Sequence, residues 1–201
     1  DLCGFAASAY MRGIDFYNIP TTVLSEVDSS IGGKTAIDFM GYKNIVGAFY
    51  PPMGVLIDPD TLQTLPKRQI SNGLAEVVKM AMISDSELFD ILEHEDVASN
   101  LDTIIERSLY IKKYVVENDE KEAGLRKTLN FGHTLAHAIE SANSMETYYH
   151  GECVALGMIP MCGMVESLNV SASAAILIYM LSERIRQSVE GWQLTDAESL
   201  K

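Results

Sequence analysis

His133, His137 and His150 fall within eighteen residues of a chain that has only four histidines. In "LNFGHTLAHAIE" the first two are four apart. On a helix this spacing puts both on one face with Cβ atoms roughly 5–6 Å apart, so both imidazoles could reach one metal ion. A zinc peptidase needs a glutamate directly after the first histidine as its base, and Thr134 stands there instead. A pair of hydrogen-bonded core histidines would give the same spacing. His150 opens "HGECVALG", a helix start, where a rigid element can hold an imidazole in place. Glu76 is a further candidate, since "GLAEVVKMAM" surrounds it with apolar residues and a buried carboxylate needs a cation or a metal beside it. Lys79, three residues on, could be that cation, which leaves an ordinary ion pair as the alternative.

A second chemical signal lies upstream. "SEVDSSIGGKTAID" resembles a phosphate loop, but a Walker A motif needs glycine six residues before the lysine, and Asp28 occupies that place. The pattern therefore disfavours an NTPase. Gly32 and Gly33 still allow backbone amides to approach an anion, and Lys34 adds a point charge. A turn with a solvated lysine explains the stretch equally well in isolation. Lys43, Asn44, Lys112, Arg126 and Asn130 add further anion-binding groups; each alone reads as surface, but beside a candidate metal they point to a substrate bearing phosphate or carboxylate.

These residues need elements to position them. The first 65 residues alternate helical and strand-like signals: "DLCGFAASAYMR" as a small-residue helix, "DFYNIPTT" as a strand, and "GVLIDPDTL" as a strand running into a helix start at Asp58 or Asp60. From Pro66 onward apolar residues recur at helical spacing through "ISNGLAEVVKMAMI", "SELFDILEHE", "LDTIIERSLYIKKYVVEND", "TLNFGHTLAHAIESA" and "GECVALGMIPMCGMVESL". The two parts are expected to pack around a cleft. With 47% hydrophobic residues the chain can bury a substantial core, and a net charge of −13 disfavours nucleic acid as a partner. Cys3, Cys153 and Cys162 form no paired framework, so a reducing compartment, the cytoplasm, is expected. The longest apolar run, "ASAAILIYML", is about half of the roughly 20 residues that span a bilayer, so no membrane segment is expected.

The segments "RGIDFYNIPTTVLSEVDSSIGGKTAID", "KNIVGAFYPP", "NGLAEVVKMAMI", "EAGLRKTLNFGHTLAHAIE" and "HGECVALGM" occur in order and together closely resemble the 3-dehydroquinate synthase family. The resemblance implies an α/β plus α architecture: the remainder of an N-terminal nucleotide-binding α/β domain over residues 1–65, then an all-helical metal-binding domain over 66–201. It implies NAD and a divalent metal, zinc or cobalt, in the cleft. It makes Glu76, His133 and His150 the metal ligands and His137 a catalytic group beside the metal, where spacing alone would have made both His133 and His137 ligands. Their donor atoms are then expected within roughly 4 Å of one another. Asp28, Lys79 and Glu122 match polar groups around the substrate hydroxyls. Lys34, Asn44, Lys112, Arg126 and Asn130 match residues that hold its two anionic ends, and Arg12 would reach the site of a neighbouring subunit in a homodimer. For NAD the matching positions are Asp1, Thr21, Thr22, Lys34, Lys43, Thr61, Leu62, Gln63 and Thr64.

The family's substrate is 3-deoxy-D-arabino-heptulosonate 7-phosphate. Its C5 hydroxyl is oxidised by NAD, phosphate is eliminated, the ketone is reduced by the same NADH, and the opened ring closes in an aldol step. Related readings are a cyclase acting on sedoheptulose 7-phosphate, a metal-dependent alcohol dehydrogenase of the same architecture, and a non-catalytic remnant with a metal-binding core. The Gly-rich pyrophosphate loop and first βαβ portion of the family are absent, the likeness weakens after about residue 170, and the late substrate lysine has no counterpart. An internal piece of a longer enzyme, inactive alone, is therefore expected.

Overall fold

Small residues dominate the first helix, α1 (Leu2–Ala9), and let it lie close against the strand that follows. A Cβ added at Gly4 would stand 2.6 Å from Thr35 Cγ2. The computed structural model that shows this describes residues 1–161, apart from Gly41 and residues 143–147, so the sequence readings on "GMVESL" and "ASAAILIYML" lie outside the described residues. Two short strands, β1 (Tyr17–Asn18) and β4 (Gly54–Val55), pair in parallel. Between them β2 (Lys34–Phe39) and β3 (Tyr42–Phe49) form an antiparallel hairpin, in register from Lys34↔Phe49 to Phe39↔Tyr42 with an irregularity between Ile37 and Phe39. Every residue of β3 is exposed.

The strand expected over "DFYNIPTT" is thus only two residues long, and the hairpin adds two strands that the sequence does not predict. The segment between β1 and β2 is a π-helical turn, Ser25–Ser29, which buries Glu26 and Val27. After β4, Asp58 Oδ1 accepts from the Asp60 amide at 3.1 Å and caps a 3₁₀ helix over Pro59–Thr64. This is the expected helix start, with proline at the first position where its missing N–H costs nothing.

Among the described residues the remainder is helical. Pro66 precedes α2 (Lys67–Ser84), whose residues from Asn72 to Ala81 are all buried. Asp85 accepts from the Leu88 amide at 3.0 Å to start α3 (Ser86–His94), and α4 (Leu101–Asn118) follows. The core unites Leu74 and Val77 of α2, Leu88 of α3, Ile104 of α4 and Val154 and Met158 of α6 (His150–Met161) with Val23 and Val27 from the first part. Each such side chain contributes about 1.5–3 kcal/mol on burial.

One expected helix is broken. "TLNFGHTLAHAIESA" does not run through: Leu125–Asn130 is a 3₁₀ helix, Gly132 takes φ +80°, and α5 (His133–Ala142) starts only afterwards. A Cβ on Gly132 would meet Met158 Cγ at 2.8 Å, and one on Gly157 would meet the Gly132 carbonyl at 2.1 Å. The two glycines therefore let α5 and α6 touch backbone to backbone. No helix among the described residues is long and apolar enough to cross a membrane.

Candidate metal and substrate site

Three helices deliver one donor each. Glu76 lies in the buried stretch of α2, while His133 and His150 are the first residues of α5 and α6. Glu76 Oε2 pairs with Lys79 Nζ, so the ion pair left open by the sequence does form. Glu76 Oε1 is buried and accepts no hydrogen bond among the described residues. It faces His150 Nε2 at 3.4 Å and His133 Nε2 at 3.7 Å, and the three donor atoms lie within 4.8 Å of one another. Ligands about 2.0–2.2 Å from a tetrahedral ion stand roughly 3.3–3.6 Å apart, so little movement would close the triad around one. A carboxylate oxygen buried without a donor is costly, and a cation at the centre would satisfy it. The residues fit a divalent metal on this ground.

The imidazoles are held from behind. His133 Nδ1 donates to the Phe131 carbonyl at 3.1 Å, which leaves Nε2 of the neutral ring free to bind. His150 Nδ1 lies 2.8 Å from Glu140 Oε1. The start of α6 is in turn tied to α2, because Asn72 Oδ1 accepts from the Gly151 amide at 2.6 Å. Burial would raise the Glu76 carboxyl, but His150 and Lys79 outweigh it and hold it below its ordinary value. Burial lowers His133, whereas at His150 the neighbouring Glu76 and Glu140 outweigh burial and raise it.

His137 stands beside this triad, outside it. Its ring centroid is 5.6 Å from that of His133 and 6.3 Å from that of His150, and its side chain is 53% exposed. Its Nδ1 lies 2.9 Å from Glu140 Oε2. Glu140, buried on α5, also accepts from Lys43 Nζ at 2.9 Å. Burial alone would raise its carboxyl, yet His137, Lys43 and His150 outweigh it and hold it at about 2. Sequence reasoning passed over Glu140; the available signal was a carboxylate one helical turn after His137.

Three of the anion-binding candidates, Lys34, Asn130 and Lys112, meet carboxylates. Lys34 Nζ and Asn130 Nδ2 converge on Glu122 at 2.5 and 2.7 Å. Lys112 Nζ meets Asp28 Oδ1 at 2.5 Å. Burial would raise Asp28, but Lys112 and Lys79 outweigh it and bring it to about 2. The buried Arg126 donates to the carbonyls of Glu120 at 2.7 Å and Gly32 at 3.0 Å, so it clamps the Gly-rich loop. Two candidates are not brought into these pairs. Arg12 is exposed and makes no hydrogen bond or ion pair among the described residues, and Asn44 uses its backbone N–H on Asp38 Oδ1 at 2.8 Å within the hairpin.

The cofactor candidates surround the Ser25–Ser29 turn. Asp1 and Lys34 line a shallow recess together with Gly4, Asn18, Ser30 and Gly33. Thr22 Oγ1 meets Ser25 Oγ at 2.8 Å, and Thr61 Oγ1 donates to Glu26 Oε1 at 3.2 Å. Thr21 and Thr64 are exposed, and Gln63 Nε2 donates to Asp60 at 3.1 Å. Leu62 turns its side chain into the core at 3% exposure, so only its backbone can serve a ligand. Lys43 reaches away to Glu140. Burial pushes the Glu26 carboxyl up to about 7.

Solved structures of similar shape are sugar phosphate cyclases. The 2-epi-5-epi-valiolone synthase of Streptomyces hygroscopicus subsp. jinggangensis 5008, with NAD+ and Zn2+ bound, matches at TM-score 0.76 and 29% identity over 95% of this chain and 61% of its own. A 2-deoxy-scyllo-inosose synthase complexed with carbaglucose-6-phosphate, NAD+ and Co2+ matches at TM-score 0.79 and 28% identity over 96% and 55%. The chain shares the fold of these synthases. Within it, the profiles of the N-terminal and C-terminal parts of 3-dehydroquinate synthase match residues 1–72 and 73–197, and the chain belongs to the 3-dehydroquinate synthase family. The match extends well past residue 170, where likeness at the level of motifs ends. The 3-dehydroquinate synthase of Clostridium beijerinckii is 46% identical over 198 residues, 96% of this chain and 55% of that protein. That of Clostridium perfringens (strain SM101 / Type A) is 53% identical over 175 residues, 85% and 50% respectively. The chain spans about half the length of these curated relatives.

Proposed function

We propose that this chain is the metal- and substrate-facing portion of a 3-dehydroquinate synthase, a cytoplasmic enzyme of the shikimate route to aromatic amino acids. It would convert 3-deoxy-D-arabino-heptulosonate 7-phosphate to 3-dehydroquinate and phosphate. The observation that carries this reading is Glu76 Oε1, buried without a hydrogen bond among the described residues and facing the Nε2 atoms of both His133 and His150. In this reading residues 1–65 belong to the nucleotide-binding domain and 66–201 to the metal domain. A bound divalent ion, zinc or cobalt, supplies the Lewis acidity that eases loss of a hydroxyl proton, and NAD supplies a hydride acceptor that the cycle regenerates.

The chain's own residues then divide the work. Glu76, His133 and His150 hold the ion. His137, with Nδ1 fixed on Glu140, keeps Nε2 available to carry a proton. Lys34, Asn44, Lys112, Arg126 and Asn130 bind the substrate's carboxylate and phosphate, and Asp28, Lys79 and Glu122 orient its hydroxyls. Orientation of this kind is worth several kcal/mol of barrier. Asp1, Thr21, Thr22, Lys34, Lys43 and Thr61–Thr64 serve NAD, and the exposed Arg12 serves the neighbouring subunit of a homodimer.

Phosphate release from the heptulosonate phosphate tests this, measured on the full-length protein with and without NAD. The expected result is phosphate release that requires NAD yet leaves no net NADH. Accumulating NADH would identify a dehydrogenase, and turnover of sedoheptulose 7-phosphate alone would identify the other cyclase class. No turnover of either with zinc and NAD present would leave a binding remnant.

A further inference from the structure

Glu140 has three donors on one buried carboxylate. Oε1 accepts from His150 Nδ1 at 2.8 Å and Lys43 Nζ at 2.9 Å, and Oε2 accepts from His137 Nδ1 at 2.9 Å. It is 4% exposed, so water contributes little to any of these bonds. An ionised carboxylate can only accept, so each imidazole must carry a proton on Nδ1, and in its neutral form presents a bare Nε2 on the far side. For His150 that far side faces Glu76 Oε1 at 3.4 Å. His133 is the internal contrast: its Nδ1 is fixed by a backbone carbonyl, which no side-chain change can remove.

We infer that Glu140 is a positioning residue that sets the tautomer and orientation of His137 and His150 together, leaving His133 to the backbone. Lys43 completes the arrangement from β3, ninety-seven residues away in sequence. The inference deepens the metal-site reading and rests on it for the role of His150; its effect on the two imidazole tautomers does not need a metal. In the assigned roles Glu140 enters only as the group behind His137; it is not among the metal ligands and faces both imidazoles from behind.

The test uses the full-length protein in two measurements. In the first, Co2+ is titrated and its visible absorption recorded for wild type, Glu140→Gln and Lys43→Met. An amide can accept on one side only, so Glu140→Gln leaves one ring without its acceptor. Co2+ affinity should fall about 10–100-fold with a changed spectrum, as for other groups that orient metal ligands. Lys43→Met removes one of the two donors on Oε1 but neither imidazole bond, and its affinity should fall less than that of Glu140→Gln. In the second, 15N shifts of the metal-free histidines are compared: Glu140→Gln should alter the tautomer of one or both of His137 and His150 and leave His133 as it was. Should Glu140→Gln fold poorly, Glu140→Asp keeps the charge, shortens the reach and is expected to shift the same two rings. Unchanged affinity, spectrum and tautomers in Glu140→Gln would overturn the inference, as would an equal loss in Lys43→Met. A wild type that takes up no Co2+ while its tautomers still depend on Glu140 would instead overturn the metal reading alone.

Discussion

His133 and His137 share a helix face and differ in what stands behind them. One nitrogen of His133 is committed to a carbonyl and the other faces Glu76, whereas His137 is half exposed and leans on Glu140. His133→Ala is therefore expected to lose both bound metal and turnover. His137→Ala should keep its metal while turnover falls about 10²–10⁴-fold, the range of a lost proton carrier. Metal analysis beside initial rates separates them, and equal metal loss would make His137 a ligand. Glu26 gives a second prediction. Its carboxyl rises from an ordinary 4.5 to about 7 on burial, and its Oε2 has no partner among the described residues. The folded state therefore holds this proton more tightly than the unfolded chain. Its stabilising share is complete below about pH 4.5 and is lost as pH rises through 7, a difference of about 3 kcal/mol. Glu26→Gln cannot ionise, so thermal unfolding should show it more stable than wild type at pH 8 and nearly equal at pH 5. The histidine cluster was legible in sequence because spacing reveals neighbours on a helix. Glu26 was not, since its partner at position 61 comes from a tertiary contact that no local pattern encodes, and at Glu140 the local pattern shows His137 one turn before it but not Lys43.

At the scale of elements, α2 is where sequence and structure agree most closely, and the turn before α5 is where they part. Apolar periodicity reveals a helix whichever way it faces, so α2, α3 and α4 could be read directly. The hairpin was missed because β3 is exposed throughout, and a strand without a buried face shows no alternation. Gly132 was missed because the apolar period continues across it while the backbone does not. Gly132→Ala is expected to destabilise by more than 1 kcal/mol, roughly, because it adds a side chain at φ +80° and drives Cβ to 2.8 Å from Met158. Denaturant unfolding at fixed pH measures the loss. Metal affinity should fall in parallel, since α5 and α6 carry His133 and His150 at their starts. On α2 the polar residues Asn72, Glu76 and Lys79 lie four and three apart, one stripe within the buried stretch from Asn72 to Ala81.

At the scale of the whole molecule, β3 exposes Tyr42, Ile45 and Phe49, and an uncovered strand of this kind is a template for pairing. The 201-residue chain purified alone is expected to self-associate on size-exclusion chromatography and to release no phosphate with zinc and NAD in excess. Fusion to the N-terminal half and C-terminal helices of a relative should end the self-association and give phosphate release, and activity in the isolated chain would show that the exposed face matters less than proposed. Three ion pairs, Lys34–Glu122, Lys112–Asp28 and Lys43–Glu140, join the first part of the chain to the helices. The cationic groups of the site are thus already loaded with counterions that the protein carries itself. Under the proposed function, taking up an anionic substrate would be ion exchange, in which a phosphate or carboxylate displaces a glutamate or aspartate. Added salt weakens the outgoing pairs along with the incoming ones, so KM should rise with ionic strength less steeply than it would for bare lysines. Glu122→Gln unloads Lys34, and its KM should show the steeper dependence.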